Sequence, residues 1–248
     1  MSERVIGVLG GMGPEATLAF YGRLIEMTPA RRDQEHVRVI IDSNPKVPDR
    51  SAALLQGGES PVPLMASGLQ ALQRAGADFA VIPCVSAHAF LDELRRRALI
   101  PVLSIFDAVA EELQRGPAGL RRVGLLATTG TMKAGLFQRR LSDAGLEVIA
   151  PEDADQAGLM AAIYSVKASN AAEQRRRAVD CARSVAKRVI DGGAQRVVLG
   201  CTELPLLLGG GDLEVQVIDS LVSLARAALR EAGREPKPLG PSAVEGGA

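Results

Sequence analysis

The chain has 248 residues, of which 47% are hydrophobic and only 3% aromatic, so its core must be built from aliphatic side chains. Its 29 basic residues balance 29 acidic ones, which argues against a polyanion such as nucleic acid as the partner. No apolar run reaches the roughly 18 residues that a membrane-spanning helix needs. The first residues, MSERVIGVLGG, do not resemble a signal peptide.

Three cysteines and two histidines limit the chemistry further. An odd number of cysteines gives little support to a disulfide framework, and the lack of a CxxC motif gives little to a zinc site. We therefore expect a cytoplasmic protein without a disulfide framework or a zinc site.

Short β-branched runs alternate along the chain with longer segments of helical periodicity. The predicted strands cover residues 5–9, 37–42, 79–83, 102–105, 123–127, 147–150, 197–200 and 215–219. The predicted helices cover residues 16–27, 61–75, 106–113, 136–144, 171–192 and 220–231. This alternation predicts an α/β fold with parallel sheets covered by helices on both faces.

The second part of the chain repeats the first. Aligning RVIGVLGGMG with RVGLLATTG places Gly7 on Gly124, and aligning GADFAVIPC with GAQRVVLGC places Cys84 on Cys201. The differences 124 − 7 and 201 − 84 both equal 117, and two matches with one offset indicate a duplicated unit.

We therefore expect two similar α/β halves. If these halves are related by a pseudo-twofold axis, the active site lies in the cleft between them. The first half is predicted to comprise residues 1–101 with 216–232, and the second half residues 102–215. Residues 233–248 are rich in Gly and Pro and are predicted to form a disordered tail.

Two cysteines at equivalent strand ends suggest acid/base chemistry. Ligands of open parallel sheets bind beyond the carboxyl ends of the strands, where Cys84 and Cys201 are predicted to meet across one cleft. One thiolate can remove a proton from an sp³ carbon while the other thiol protonates the opposite face. Loop N–H groups and the hydroxyls of Ser86, Thr128 and Thr129 can stabilise the developing enolate.

Simpler interpretations remain open for several of these residues. A single cysteine at a strand end is usually a small core residue, and Cys181, within a helical pattern, has no counterpart in the repeat. The GGMGP turn lacks the GxGxxG spacing, so a dinucleotide is not expected. His88 can be a helix-face residue without a role or a donor to the Cys84 region.

Six segments in the same order resemble one family. GVLGGMGPEAT, RRDQEH, NPKVPDR, GADFAVIPC, GLLATTGT and GCTELPLL are similar to motifs of the aspartate/glutamate racemase family, most closely its aspartate racemase branch. The resemblance covers about residues 5–230. It implies a racemase that uses no pyridoxal phosphate, with two Rossmann-like halves and a homodimeric assembly.

The resemblance also implies roles for individual residues. Cys84 and Cys201 match the paired catalytic cysteines. Arg50 matches a residue that clamps the side-chain carboxylate, and Lys167, beside Tyr164, resembles a second basic residue on a mobile segment. The other positions implied to line the substrate pocket are Met12, Gly13, Ser86, Thr128, Thr129 and Thr202.

Val85 departs from the family pattern, in which the first cysteine is followed by asparagine. Losing the hydrogen bond of that amide would cost about 1–3 kcal/mol if its partner stayed buried and unpaired. Three hypotheses follow: racemisation of aspartate or glutamate, isomerisation or decarboxylation of a related dicarboxylate, and metabolite binding without catalysis. One methylene group is worth only about 1–3 kcal/mol, so residue types do not separate aspartate from glutamate.

Overall fold

The protein is built on two parallel β-sheets, each covered by helices, in a computed structural model that describes residues 3–116, 118–168, 172–209, 211 and 213–239. The first sheet has the strand order β2-β1-β3 and the second the order β5-β4-β6-β7. The strands are β1 (Ile6–Gly10), β2 (Val39–Ser43), β3 (Phe79–Val81), β4 (Arg122–Ala127), β5 (Glu147–Ile149), β6 (Arg196–Gly200) and β7 (Gln216–Asp219).

Ten α-helices connect these strands within the described residues. They are α1 (Pro14–Met27), α2 (Arg50–Gln56), α3 (Val62–Arg74), α4 (Leu91–Arg97), α5 (Ile105–Gln114), α6 (Thr129–Ala134), α7 (Leu136–Asp143), α8 (Asp153–Ala168), α9 (Ala172–Asp191) and α10 (Ser220–Glu231). All six predicted helices are present, with ends within two residues of the prediction. Helices α2, α4, α6 and α8 lie outside the predicted set.

The register of the sheets confirms the internal repeat. Gly7 lies opposite Ala80 between β1 and β3, and Gly124 lies opposite Val197 between β4 and β6. Both members of the first pair move by 117 residues to give the second pair. The α/β fold class with two parallel sheets is therefore confirmed.

Seven of the eight predicted strands are present, with ends within two residues of the prediction, and two larger differences remain. Strand β7 pairs with β6, so residues 216–219 belong to the second sheet and not to the first half. Helix α10 packs against α1 of the first half and also against α5, which lies in the predicted second half. The predicted strand at 102–105 is reduced to one bridge between Val102 and Ala80. It ends there because Ser104 is the N-cap of α5, which begins at Ile105.

The first residues of the predicted tail are ordered. The backbone N–H of Lys237 donates to the Met27 carbonyl at 2.8 Å, and the Arg234 side chain pairs with Glu3. Leu239 packs against the hydrophobic core. Disorder is therefore the wrong prediction for residues 233–239, and residues 240–248 lie outside the described residues.

One hydrophobic cluster contains residues from both halves. It joins Ile6 and Val8 of β1 to Val123 and Leu125 of β4, with side chains of α5 and α10 between them. The two sheets therefore share a core that fixes the cleft at their carboxyl ends. Among the helices that the structure describes, none is both long and apolar enough to cross a membrane.

Candidate functional site

The glycine-rich turn between β1 and α1 presents main-chain groups to the cleft. Gly11 has a φ of +86°, and a Cβ atom there would lie 2.4 Å from the backbone of Asn44, so only glycine fits without a shift. The Thr17 hydroxyl accepts the Gly11 N–H at 2.9 Å and donates to the Gly13 carbonyl at 3.0 Å. This pair of bonds holds Met12 at the mouth of the cleft.

Arg50, the first residue of α2, is buried beside that turn, with 9% of its surface exposed. Its terminal nitrogens donate to the carbonyl groups of Val47 at 3.2 Å, Pro48 at 3.0 Å and Met12 at 3.0 Å. Its Nε has no acceptor among the described residues. A buried guanidinium held by neutral carbonyls alone keeps its charge available for an anionic ligand.

Cys84 lies just beyond β3, and its thiol is almost completely buried. Its Sγ lies 3.6 Å from the hydroxyl of Ser86, which begins a short 3₁₀ helix at residues 86–90. Val85, between them, is buried and packs into the core shared by the two halves. The first thiol therefore has one polar neighbour and one apolar neighbour.

His88 supports the main chain of Cys84 and does not contact its thiol. Its Nδ1 lies 2.9 Å from the Cys84 carbonyl oxygen, and its ring packs edge-on against Phe106. Burial lowers the pKa of His88 to about 4, so the ring is neutral at pH 7. Neutral Nδ1–H then donates to the carbonyl. Of the two interpretations open from the sequence, the structure supports a donor to the Cys84 region.

Cys201 lies just beyond β6, in a position equivalent to that of Cys84. Its thiol donates to Oε2 of Glu203 at 2.9 Å, and the Thr202 hydroxyl donates to the same oxygen at 3.3 Å. Glu203 is buried, with 8% of its surface exposed. A carboxylate at this distance can take the thiol proton, so the second cysteine has a base that the sequence alone did not identify. The only signal for it is its position two residues after the cysteine in CTELP.

The loop after β4 is fixed by the cap of α6. The Thr128 hydroxyl accepts the Thr131 N–H at 3.2 Å and donates to the Thr131 hydroxyl at 3.0 Å. The Thr129 hydroxyl faces α8 instead, where it accepts from the Gln156 amide at 3.3 Å. Thr128 and Thr131 line the cavity between the cysteines, and Thr129 does not.

Both cysteines line one cavity of about 20 Å³, which has room for about one water molecule. Seven of the residues predicted for the site are brought together there: Met12, Arg50, Cys84, Ser86, Thr128, Cys201 and Thr202. The residues of its wall that were not predicted as site residues are Asp49, Ser51, Val85, Thr131, Met160, Tyr164, Gly200 and Glu203.

A wider pocket of about 480 Å³ shares Met12, Arg50 and Glu203 with this cavity and leads outward over the start of α1. Gly13 lies in this outer pocket and not in the inner cavity. Lys167 belongs to α8, but its side chain lies outside the described part of the structure. In the described part of the chain, no group of His, Cys, Asp and Glu side chains could hold a metal ion.

The chain is similar to one known protein family and to named members of it. The sequence profile of the Asp/Glu/hydantoin racemase family matches residues 9–228. The broad specificity amino-acid racemase RacX of Bacillus subtilis is 25% identical over 229 residues, which cover 91% of this chain and 96% of RacX.

Solved structures agree with the sequence comparison. An aspartate racemase from Picrophilus torridus superposes with a TM-score of 0.79 and 30% identity, over 94% of this chain and 96% of that one. An aspartate racemase homologue from Pyrococcus horikoshii gives a TM-score of 0.74 and 32% identity, over 93% and 100% of the two chains. A profile match over nearly the whole chain, with the same two-sheet fold, shows that this chain belongs to the Asp/Glu/hydantoin racemase family.

Proposed function

We propose that the protein racemises an acidic amino acid, aspartate or glutamate, by proton transfer between Cys84 and Cys201 and without a cofactor. The observation that carries the proposal is the placement of two buried thiols, one from each repeat, in the wall of a single cavity. Family membership supports the reaction type, and the Picrophilus torridus relative is named an aspartate racemase.

The reaction is a balanced exchange of one proton. A thiolate removes the Cα proton of one enantiomer, and the electron pair left on Cα delocalises into the α-carboxylate. The opposite thiol then donates its proton to the other face of the planar carbanion. Glu203 can hold the proton of Cys201 when that residue acts as the thiolate. The roles exchange for the other enantiomer.

Arg50 supports an anionic side chain in the substrate. Its charge is buried and is not neutralised by a carboxylate among the described residues. A planar guanidinium matches a carboxylate in geometry and in charge. The α-carboxylate can be bound at the second-half loop, where Thr128 and Thr202 line the same cavity. Each hydroxyl has one proton, which must turn away from Thr131 or Glu203 to be donated to the substrate.

A chiral assay in D₂O tests the proposal. Wild-type protein is expected to interconvert the enantiomers of aspartate or glutamate and to place one deuterium on Cα. Cys84→Ala and Cys201→Ala should each lower the rate by at least about 10³-fold, because each removes a proton-transfer group. Cys181→Ala, which changes a thiol in α9, is the matched control and should keep full activity. Full racemisation by either active-site variant would refute the mechanism.

Val85 favours a second candidate, the isomerisation or decarboxylation of a dicarboxylate that lacks an amino group. Its buried, apolar side chain offers no hydrogen bond to a substrate ammonium group. The assay should therefore include maleate and alkyl- and aryl-malonates beside the amino acids. Turnover of these compounds with no exchange at Cα of any amino acid would replace the first proposal. Binding of an amino acid without any exchange would favour the non-catalytic alternative.

The proposal also covers the cellular location of the protein and its assembly. The three cysteines are free thiols in the structure, which supports a location in a reducing compartment such as the cytoplasm. The resemblance to the racemase family supports assembly as a homodimer. Neither feature is needed for the chemistry within one chain.

A further inference from the structure

Two of the five phenylalanines of the chain and one histidine form a continuous column of rings inside the core. The ring of His88 packs edge-on against Phe106 with 5.6 Å between the centroids, and Phe106 packs edge-on against Phe137 with 4.6 Å between the centroids. All three side chains are buried, with at most 6% of their surface exposed. Edge-to-face contacts at such spacings are favourable for aromatic pairs. We call His88, Phe106 and Phe137 the ring column.

The ring column crosses from one half of the molecule to the other. His88 belongs to the 3₁₀ helix that follows β3 in the first half, and Phe137 belongs to α7, which packs against β5 in the second half. Phe106 lies between them on α5, the helix that leads from the first sheet to β4. The column therefore spans the joint between the halves with flat, rigid side chains, whereas most of the shared core is aliphatic.

Each end of the ring column contacts the main chain beside one of the two cysteines. At the first end, Nδ1 of His88 donates to the Cys84 carbonyl oxygen, 2.9 Å away. At the other end, Phe137 lies against Gly200, where a Cβ atom would come within 3.0 Å of the Cε2 atom of the ring. Gly200 directly precedes Cys201. The column thus connects the two turns that carry the thiols.

The proposed proton transfer depends on the separation between these thiols. The two thiols must reach opposite faces of one carbon atom, and each is carried by a different half of the molecule. A displacement of about 1 Å from the productive geometry can lower a rate by about 10²-fold. None of the three rings lines the inner cavity or the outer pocket, so any effect of the column on the reaction must pass through the main chain of the cysteine turns.

We propose that the ring column is a positioning element that sets the separation between the thiols of Cys84 and Cys201. The inference rests on the proposed racemase function and deepens it, because it assigns a role to residues that do not touch the substrate. His88 and Phe137 hold the two cysteine turns at the ends of the column, and Phe106 fixes the distance between them. The column returns the thiols to the same separation each time the cleft closes around a substrate.

Steady-state kinetics with L-aspartate and L-glutamate test the role of the column. Phe106→Leu and Phe137→Leu each remove one ring and leave every group of the site in place, and we expect kcat to fall by about 10–10²-fold. KM should stay within about twofold of the wild-type value, because the substrate-binding loops are unchanged. Phe20→Leu is the matched control, since Phe20 is a fully buried phenylalanine of the same core that lies outside the column. It loses the same side-chain volume, and its kcat should be unchanged.

Isotope exchange separates a change in thiol separation from a loss of folded protein. In D₂O, a carbanion that waits for the second thiol can take a deuteron back from the first thiol, once that thiol has exchanged its proton with solvent. The ratio of deuterium uptake without inversion to inversion should therefore rise severalfold in Phe106→Leu and Phe137→Leu. It should keep the wild-type value in Phe20→Leu. A smaller amount of folded enzyme lowers both rates in proportion and does not change this ratio.

Gly200→Ala provides a second route that keeps all three rings. Its added methyl group would lie 3.0 Å from Phe137 and from Leu125, so the turn before Cys201 must shift and kcat should fall. When Gly200→Ala is combined with Phe137→Leu, the contact with the ring is absent. The added methyl group should then cost a smaller factor in kcat than it does in the wild-type chain.

Two results would overturn the inference in a wild-type protein that racemises either amino acid. One is a wild-type ratio of exchange to inversion in both Phe106→Leu and Phe137→Leu, and the other is independent, multiplicative effects of Gly200→Ala and Phe137→Leu on kcat. Circular dichroism of each variant verifies the fold. A wild-type protein that neither inverts nor exchanges either amino acid would instead contradict the proposed function, and the role of the column with it, so the two failures are distinguishable.

Discussion

At the scale of single residues, the two thiols of the cavity differ in their surroundings. Cys201 donates to the buried carboxylate of Glu203, whereas the sulfur of Cys84 lies beside the hydroxyl of Ser86. A base on one side and a hydroxyl on the other indicate that the two cysteines reach their thiolate forms by different routes. The carboxylate is positioned to take the proton of Cys201.

Glu203→Gln tests this asymmetry, because it keeps the size of the side chain and removes its basicity. We expect kcat/KM to fall by about 10²–10⁴-fold, the usual contribution of a positioned acid or base. The ratio of the kcat/KM values of the two enantiomers equals the equilibrium constant of racemisation, which is one. The fall in kcat/KM should therefore be the same for both enantiomers, whereas their separate kcat and KM values can differ. Chiral chromatography of the two enantiomers at early times gives the initial rates from which kcat/KM is obtained.

The exposed Glu59 supplies the matched control. Glu59→Gln removes one carboxylate from the same half as α2 and should leave kcat/KM unchanged. Wild-type rates in Glu203→Gln would show that the carboxylate does not assist the thiol.

The neutral state of His88 makes the stability of the protein depend on pH. Its pKa is about 4 in the folded chain against an ordinary value of 6.5, because burial disfavours the charged ring. Below pH 6.5 the unfolded chain gains a proton that the folded chain does not. The free energy of unfolding should therefore fall between pH 6.5 and pH 4, by about 3 kcal/mol in total.

Urea unfolding of His88→Asn and His36→Asn, measured from pH 4 to pH 8, isolates this effect. His88→Asn removes the titrating ring, so its difference from wild type should shrink as the pH falls through this range. His36 is only partly buried, and His36→Asn should keep the wild-type dependence. A constant difference between His88→Asn and wild type at all pH values would contradict the assignment.

The sequence was sufficient to predict the cysteines but not their neighbours. Cys84 and Cys201 are identified by the offset of 117 residues, which depends only on residue type and position. The choice between Thr129 and Thr131 depends on which hydroxyl the α6 cap turns toward the cavity, and TTGT contains no such information. The role of Glu203 can be predicted only if the turn after Cys201, which brings its carboxylate to the thiol, is known.

At the scale of elements, periodicity predicted the long amphipathic helices and missed the short or uniform ones. Helices α2 and α4 have seven residues each and α6 has six, too few for a repeating apolar pattern. In α8 small and apolar residues occupy every face, because it packs against α9 and also borders the cavity with Met160 and Tyr164. Of these missed helices, α2, α6 and α8 contribute to the site. The tail at 233–239 was missed because its order depends on contacts with α1 and the core.

The turn between β1 and α1 depends on one glycine. In Gly11→Ala the Cβ atom would meet the Asn44 backbone at 2.4 Å in a left-handed conformation, so the turn must shift. We expect a loss of about 2–4 kcal/mol in the free energy of unfolding. The activity should fall by more than the loss of folded protein explains. The reason is that the turn holds Met12, whose carbonyl accepts a hydrogen bond from Arg50.

Gly57→Ala separates conformational strain from this contact. Gly57 also has a positive φ, +65°, but beyond its own chain neighbours no atom lies within 4 Å of the position that a Cβ atom would take. That variant should lose only about 1 kcal/mol, the cost of the left-handed conformation. Equal losses in chemical denaturation of the two variants would exclude the clash as the cause.

At the scale of the whole molecule, the two halves are joined by one core and closed over the site. The hydrophobic cluster that contains β1 and β4 leaves the cysteines in a cavity for about one water molecule. An amino acid is larger than this space, so the cleft must open before a substrate can enter. The outer pocket over the start of α1, which shares Arg50 and Glu203 with the cavity, gives the direction of entry.

Thiol titration with a chromogenic disulfide measures that opening. Cys181 is half-buried, whereas Cys84 and Cys201 are each 4% exposed, so one thiol should react quickly and two slowly. Cys181→Ser should remove the fast phase and leave the slow one. A dicarboxylate ligand that holds the cleft closed should slow the remaining phase by about tenfold, because reaction then requires opening of the bound form. Three thiols reacting at one rate would show that the cavity is open in solution, and the halves would then not need to move for substrate to reach the cysteines.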